Sequence, residues 1–308
     1  MRASAPPERE GERSFAVDGH RIPAPRLSPA LYVVATPIGN LGDISLRALA
    51  TLAAADIVAC EDTRVSAVLL RHYGISAKLF PYHDHNAARQ RPSLLAALAE
   101  GRAVALVSDA GTPLISDPGY RLVVEAREAG HDVVPLPGAS ALLAALVAAG
   151  LPTDAFLFAG FLPPKSGGRQ TRLRELAQVP ATLVFYESGP RLAASLADMA
   201  AVLGAARSGA MARELTKAFE TVRTGTLESL ATEFAAEDPP KGEIVVVVGP
   251  PLEAAASAED ADRVLLSLLE TQPVSAAVAE AAAITGLKRR DLYRRALELK
   301  EGKDGGAA

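Results

Sequence analysis

A chain of 308 residues, 49% hydrophobic and only 5% aromatic, is too long for one small core and suits an Ala/Leu/Val-rich α/β protein of two domains plus an appendage. Its net charge of -4 excludes a global attraction to nucleic acid, so RNA binding would have to rest on a local basic patch. One cysteine, Cys60, excludes an internal disulfide, and no apolar run reaches the roughly 18 residues of a membrane helix; with no signal-peptide core at the N-terminus, a cytoplasmic protein is expected.

Residues 1–28 are rich in Pro, Arg and Glu and read as a disordered extension. A strand at 31–35 then leads through the loop Thr36-Pro37-Ile38-Gly39-Asn40-Leu41-Gly42-Asp43 to a helix at 45–54. This is a strand, a glycine loop and a helix, but it lacks the G-x-G-x-x-G spacing, and Pro37 removes an amide that a pyrophosphate cradle would use. Strands at 56–60, 78–81, 103–107 and 132–136 alternate with helices at 66–73, 87–100, 120–129 and 140–149, which predicts a parallel, doubly wound sheet over residues 29–150. A second α/β domain is expected over 151–250. Its strands fall at 156–160, 182–186, 210–215, 220–224 and 243–248, with helices at 170–177 and 190–203. The third and fourth of these strands leave no room for a crossover, so the sheet should be mixed. After a polar, proline-rich break, residues 258–301 show helical periodicity in a helix-turn-helix-like pattern. There Lys288, Arg289, Arg290, Arg294, Arg295 and Lys300 outnumber Asp291 and Glu298, which suits either RNA contact or a solvated helical cap.

Several strand ends carry more polar chemistry than a turn requires. The continuous apolar run 103–107 stops at Ser108-Asp109-Ala110-Gly111-Thr112-Pro113, where Gly111 allows close backbone approach to a ligand and Asp117 reads as the N-cap of the next helix. Glu61-Asp62-Thr63-Arg64 reads either as a capped helix start or as a catalytic group. His83 and His85 share strand-like spacing, but with no third protein ligand in view no metal is expected. Tyr186-Glu187-Ser188 ends another apolar run. Arg213 and Lys217 alternate with Glu214 and Thr216 as though on one face of a strand, useful against a phosphate backbone.

In this order, Thr36-Pro37-Ile38-Gly39-Asn40-Leu41-Gly42-Asp43, Glu61-Asp62-Thr63-Arg64, His83-Asp84-His85-Asn86, Ser108 to Gly119, Pro137-Gly138-Ala139-Ser140, Gly160-Phe161-Leu162-Pro163 and Ala212 to Lys217, the chain closely resembles the bacterial small-subunit ribosomal RNA methyltransferase I family of the tetrapyrrole methylase superfamily. The resemblance implies a two-domain tetrapyrrole-methylase-like fold and a homodimer. It also implies S-adenosylmethionine as methyl donor and 2'-O-methylation of a decoding-centre cytidine in small-subunit ribosomal RNA, free or in the 30S particle. Carried over by motif, it implies a donor pocket of Pro37, Ile38, Gly39, Gly111, Thr112, Pro113, Ile115, Ser140, Ala141, Tyr186, Glu187, Ala212 and Gly242. Two departures stand out: Gly111-Thr112-Pro113 replaces the Gly-Asp-Pro common in porphyrin-type relatives, and Ser188-Gly189-Pro190-Arg191 replaces the usual Ser-Pro-His-Arg.

Methyl transfer needs alignment and the removal of one proton, with no metal. The residues with suitable chemistry are Glu61, Asp62, Arg64, Lys217 and Glu220, together with Glu214 and Arg213. The rival readings are a methylase of a small tetrapyrrole-like substrate and a non-catalytic RNA-binding protein of ribosome assembly.

Overall fold

The structure, a computed structural model, describes residues 13–252 and 258–304. Its first element corrects an expectation. Residues 14–23 form a hairpin, β1 (Ser14–Val17) and β2 (His20–Pro23), around Asp18 and Gly19 at φ 48° and 78°. An Asp-Gly pair flanked by alternating apolar residues favours a two-residue hairpin turn, and that signal outweighs the polar composition around it. Phe15 is buried in the first core, Ala16 N donates to Tyr73 O at 2.8 Å, and Arg13 pairs with Asp56 at 2.8 Å. The rest of the expected extension, 1–12, lies outside the described residues.

The first sheet is wound from β3 (Leu31–Val34), α1 (Leu46–Ala54), β4 (Ile57–Cys60), α2 (Thr63–His72), β5 (Leu79–Pro81), α3 (Ala87–Ala99), β6 (Val104–Val107), α4 (Tyr120–Glu128), β7 (Val133–Leu136) and α5 (Ala141–Ala148). Its strands run parallel in the order β5-β4-β6-β3-β7. Central β6 is buried at every position, as a strand covered on both faces must be. Helix α2 starts earlier than its periodicity suggests because Asp62 accepts from Arg64 N and caps it. Helix α4 has Gly119 as N-cap and no side-chain cap, so Asp117 is not the cap its place before Pro118 suggested.

The second sheet follows with β8 (Phe156–Phe161), α6 (Ser166–Leu176), β9 (Thr182–Ser188), α7 (Gly189–Leu203), β10 (Ser208–Arg213), β11 (Thr221–Thr226), α8 (Leu227–Ala235) and β12 (Glu243–Val248). In the order β11-β10-β12-β9-β8 only the β8/β9 pair is parallel, so this sheet is mixed. Sequence reading missed α8, which Thr226 caps by accepting from Ser229 N and which buries Leu227, Leu230 and Phe234. It also carried one strand too far. β10 ends at Arg213 and the chain turns at Glu214 and Thr216, both at positive φ, so Arg213 and Lys217 do not share a strand face.

Leu142, Ala145 and Leu146 of α5 pack against Val184, Ala210, Val245 and Val247 of the second sheet. Truncating one such leucine costs about 2–5 kcal/mol. Through this layer the two sheets form one compact unit that ends at Pro250. A second unit begins at Pro251, and its helices are α9 (Ala258–Leu269), α10 (Val274–Thr285) and α11 (Arg289–Asp304). They bury Ala261, Leu265, Val278, Ala281, Leu292 and Ala296, and Gly286 at φ 68° closes α10 in the left-handed conformation glycine tolerates. Among the described residues, no helix is long and apolar enough to cross a membrane.

Candidate active site

Because β3 and β6 are neighbours, the loops that follow them leave the same edge of the sheet, and they are stitched together. Thr36 N donates to Gly111 O at 2.8 Å, Gly111 N to Thr36 O at 3.1 Å, and Thr36 Oγ1 to Ser108 O at 3.2 Å. Thr112 Oγ1 donates to Ala139 O at 3.2 Å, and Asp62 N to Asp109 Oδ1 at 2.9 Å, which ties in the loops after β7 and β4. Leu114 and Ser116 sit at φ 74° and 66°. Such backbone strain costs on the order of 1 kcal/mol or more per residue, persists only where surroundings enforce it, and concentrates at functional sites.

Between these loops and the facing ends of β9 and β12 lies a cavity of about 450 Å³, within the usual size range of small-molecule sites. Ile38, Gly111, Thr112, Ile115, Ser140, Ala141, Tyr186, Glu187 and Gly242 all line it. Of the other residues the resemblance implies, Pro37 and Gly39 line an adjoining cavity of about 400 Å³, Pro113 lines neither, and Ala212 is buried in the core beneath. Tyr186 stands edge-on between Phe158 and Phe161, with ring centroids 4.8 and 5.6 Å away. Glu187 turns its carboxylate into the fold, accepting from Ser188 N at 2.8 Å and Ser195 Oγ at 2.5 Å and facing Arg191 Nε at 3.2 Å.

The cavity is acidic. Glu61, Asp109, Asp117, Glu187 and Glu243 line it; Glu187 faces Arg191 and Glu243 pairs with Lys217, whereas Glu61, Asp109 and Asp117 have no ion-pair partner among the described residues. Burial, and then the neighbouring Asp109, Asp117, Asp84 and Asp62, push the Glu61 carboxyl above its ordinary pKa. Asp117 is raised as well, by burial and by Asp109 and Asp84, against a hydrogen bond from Ser108. His83 and His85 stand 6.0 Å apart at the outer side of the same carboxylates, and among the described residues no group of side chains is arranged to hold a metal ion.

The sequence-derived catalytic candidates separate by position. Asp62 is occupied: hydrogen bonds from the Arg64 side chain and backbone hold its pKa at about 2, and the Arg64 guanidinium is otherwise open to solvent. Glu220 Oε2 accepts from Thr216 N at 2.6 Å and pins the turn after β10. Arg213 donates to Lys241 O and Phe219 O and so braces that turn rather than facing outward alone. Glu61 and Lys217 do reach the cavities. Lys217 Nζ lies 2.8 Å from Glu214 Oε1 and 2.9 Å from Glu243 Oε2. Burial opposes the ammonium, but those two carboxylates outweigh it and its pKa is raised, so Lys217 is a fixed cation and not a base.

Residues sequence reading missed are Phe161 and Glu243. Phe161 ends β8 inside the Gly-Phe-Leu-Pro run and stays 58% exposed beside Tyr186, an apolar residue with no core to enter. Glu243 opens β12, and only the pairing of that strand with β10 brings its carboxylate to Lys217.

Comparison with known proteins gives a consistent picture. The tetrapyrrole (corrin/porphyrin) methylases family matches residues 30–231, and the RsmI C-terminal HTH domain matches residues 255–300. The chain is 63% identical over 280 residues to the ribosomal RNA small subunit methyltransferase I of Mesorhizobium japonicum, covering 91% of this chain and 95% of that one. It is 52% identical over 270 residues to the Escherichia coli O157:H7 protein of the same name, covering 87% and 94%. Among solved structures, the uroporphyrin-III-C-methyltransferase of Thermus thermophilus shares the fold with a TM-score of 0.51 at 24% identity, over 71% of this chain and 93% of that one.

Proposed function

The chain belongs to the tetrapyrrole (corrin/porphyrin) methylase family, and from that premise we propose that it methylates small-subunit ribosomal RNA with S-adenosylmethionine, placing the methyl group on the 2'-oxygen of a decoding-centre cytidine. The relatives of highest identity given above carry the name of a ribosomal RNA methyltransferase over nearly their whole length, which favours RNA over a small tetrapyrrole.

The residues present fit the donor. S-adenosylmethionine supplies an electrophilic methyl group on a positively charged sulfur. A cavity lined by Glu61, Asp109 and Asp117 without a paired cation suits a cationic guest, and Tyr186 with Phe161 offers aromatic surface to a flat purine. Gly111, at φ 84° and with Ile38 Cγ2 3.2 Å from where a Cβ would sit, lets the loop after β6 pack closely against the loop after β3 at the cavity wall. Thr36, Ser108 and Thr112 hold the loops rigid, so the residues align the reacting atoms before reaction. In the transfer the ribose oxygen forms the new C–O bond, the C–S electron pair stays with sulfur, and the hydroxyl proton leaves to a carboxylate at the cleft. Lys217 supplies fixed positive charge beside the developing alkoxide.

In this reading the C-terminal unit grips the RNA. Lys288, Arg289 and Arg290 pair with no carboxylate among the described residues, and Tyr293 is half-exposed on the same helix. A homodimer in the cytoplasm completes the reading. Its support here is the outward face of α5, where Leu143 and Val147 are 49% and 77% exposed one turn apart.

The observation that carries the proposal is the acidic, loop-clamped cavity at the joined ends of β3, β6, β9 and β12. Calorimetric titration with S-adenosylmethionine tests it. The wild type should bind one donor per chain, and Thr112→Arg should remove binding while leaving the far-ultraviolet dichroism unchanged; equal binding by both would reject the pocket, and no binding by the wild type would favour a non-catalytic assembly protein.

A further inference from the structure

The adjoining cavity of about 400 Å³ shares Ile38, Asp109, Ala110 and Glu243 with the donor cavity, so the two meet along these residues. Its outer wall is the solvent side of α2, where Val65 and Val68, three residues apart and so on one helix face, are 44% and 58% exposed. Leu41 adds apolar surface and Ser66 a hydroxyl. Lys217 enters across Gly39, where a Cβ would lie only 2.4 Å from its Cγ, and so its ammonium reaches Glu243 on the shared wall. Arg64 stands at the start of the same helix with its side chain 89% exposed.

We propose that this second cavity seats the acceptor nucleoside of the RNA, with the base against Val65 and Val68, the ribose at the shared wall and the adjoining phosphates toward Lys217 and Arg64. The proposal rests on the donor assignment above. An apolar slot with polar groups at its ends matches a nucleobase, whose faces are apolar and whose edges hydrogen-bond, and the cations suit the phosphates that flank it. With the ribose where the two cavities meet, at Ile38, Ala110 and Glu243, its 2'-oxygen is directed toward the donor. The oxygen takes the methyl carbon, sulfur keeps the C–S pair and becomes a neutral thioether, and the hydroxyl proton passes to the Glu243 carboxylate. Glu243 is thereby a catalytic residue, held in place by Lys217.

The test is steady-state transfer of labelled methyl from S-adenosylmethionine to small-subunit RNA by the full chain, with donor affinity measured separately by calorimetry. Val68→Trp fills the slot from an exposed position, and because the chain has no tryptophan of its own the new residue also reports folding by its emission. The expected result is an unchanged donor Kd with kcat/KM for RNA reduced about hundredfold, as misplacement of a substrate by an ångström does. Val65→Trp, from the same wall, should act alike, while Glu243→Gln should lower kcat and leave KM for RNA near the wild-type value. Wild-type kinetics in both tryptophan variants would overturn the inference and leave the proposed function standing. Loss of donor binding in them would place the wall in the donor site and overturn it too. A wild type that binds donor yet methylates no ribosomal RNA would sink the functional reading itself, and this inference with it.

Discussion

Lys217 lies across Gly39 with no room to spare: a Cβ on residue 39 would fall 2.4 Å from Lys217 Cγ and 2.5 Å from its Cε. The first loop of the first sheet is thus the bed on which a cation from the second sheet reaches Glu214 and Glu243. Gly39→Ala forces the flexible lysine stem aside and places a side chain at φ 149°, at a cost of about 1–3 kcal/mol. Methyl transfer should fall at least tenfold while donor affinity stays within about twofold, because the donor cavity is lined by neither residue. Activity and Tm measured on the same preparation check this; a loss of activity matched by loss of fold would refute it.

Donor affinity should depend on pH in a particular direction. Glu61 and Asp117 have raised pKa values, from burial first and then from neighbouring carboxylates, Asp109 and Asp84 beside both. A carboxyl whose folded pKa lies above its unfolded one contributes stability fully below the unfolded pKa and loses it as pH rises through the folded value. Once ionised, these crowded carboxylates repel one another, and a cation relieves them. Affinity for S-adenosylmethionine should weaken as pH falls through those raised values, at a higher pH than ordinary carboxylates would give, and Glu61→Gln should flatten the dependence. Calorimetry across pH 5 to 8 is the check.

Gly189 explains the departure of Ser188-Gly189-Pro190-Arg191 from the usual Ser-Pro-His-Arg. A Cβ there would sit 1.6 Å from Pro240 O, so in this chain the 238–241 loop presses onto the start of α7. Gly189→Ala should cost about 3 kcal/mol and lower Tm by roughly 6–12 °C. Scanning calorimetry decides it, and a shift under about 2 °C would show that the loop moves freely.

The basic helix α11 gives a salt-dependence prediction. Arg295 is committed to Asp262 and Glu298 at 2.6 and 2.8 Å and ties α11 to α9, whereas Arg289 and Arg290 have no such partner among the described residues. Arg289→Ala with Arg290→Ala should weaken RNA association and make the slope of log K against log salt shallower by roughly 1.5, as two phosphate contacts would. Donor binding should not change. An unaltered slope would return these arginines to a solvated surface.

How far the sequence was legible follows from where its signals are local. The continuous apolar run of β6 and the alternation of strands and helices marked the parallel sheet, and the Gly111 and Tyr186 loops announced themselves as polar ends of buried strands. Asp18-Gly19 was an equally local hairpin signal, hidden by its charged surroundings. Helix α8 was passed over although Leu227, Leu230 and Phe234 are spaced for one helix face. Glu243 and the Lys217 turn were not legible at all. Their meeting depends on β10 and β12 pairing across the sheet and on Glu214 taking φ 51°, and neither leaves a pattern in nearby residues.

The most direct measurement is the fate of the methyl group on RNA. Small-subunit RNA incubated with this protein and methyl-labelled S-adenosylmethionine, then hydrolysed in alkali, should yield the label in a dinucleotide that resists cleavage, because a methylated 2'-oxygen cannot attack the adjoining phosphate. Label recovered wholly in mononucleotides, on a base, would contradict ribose methylation.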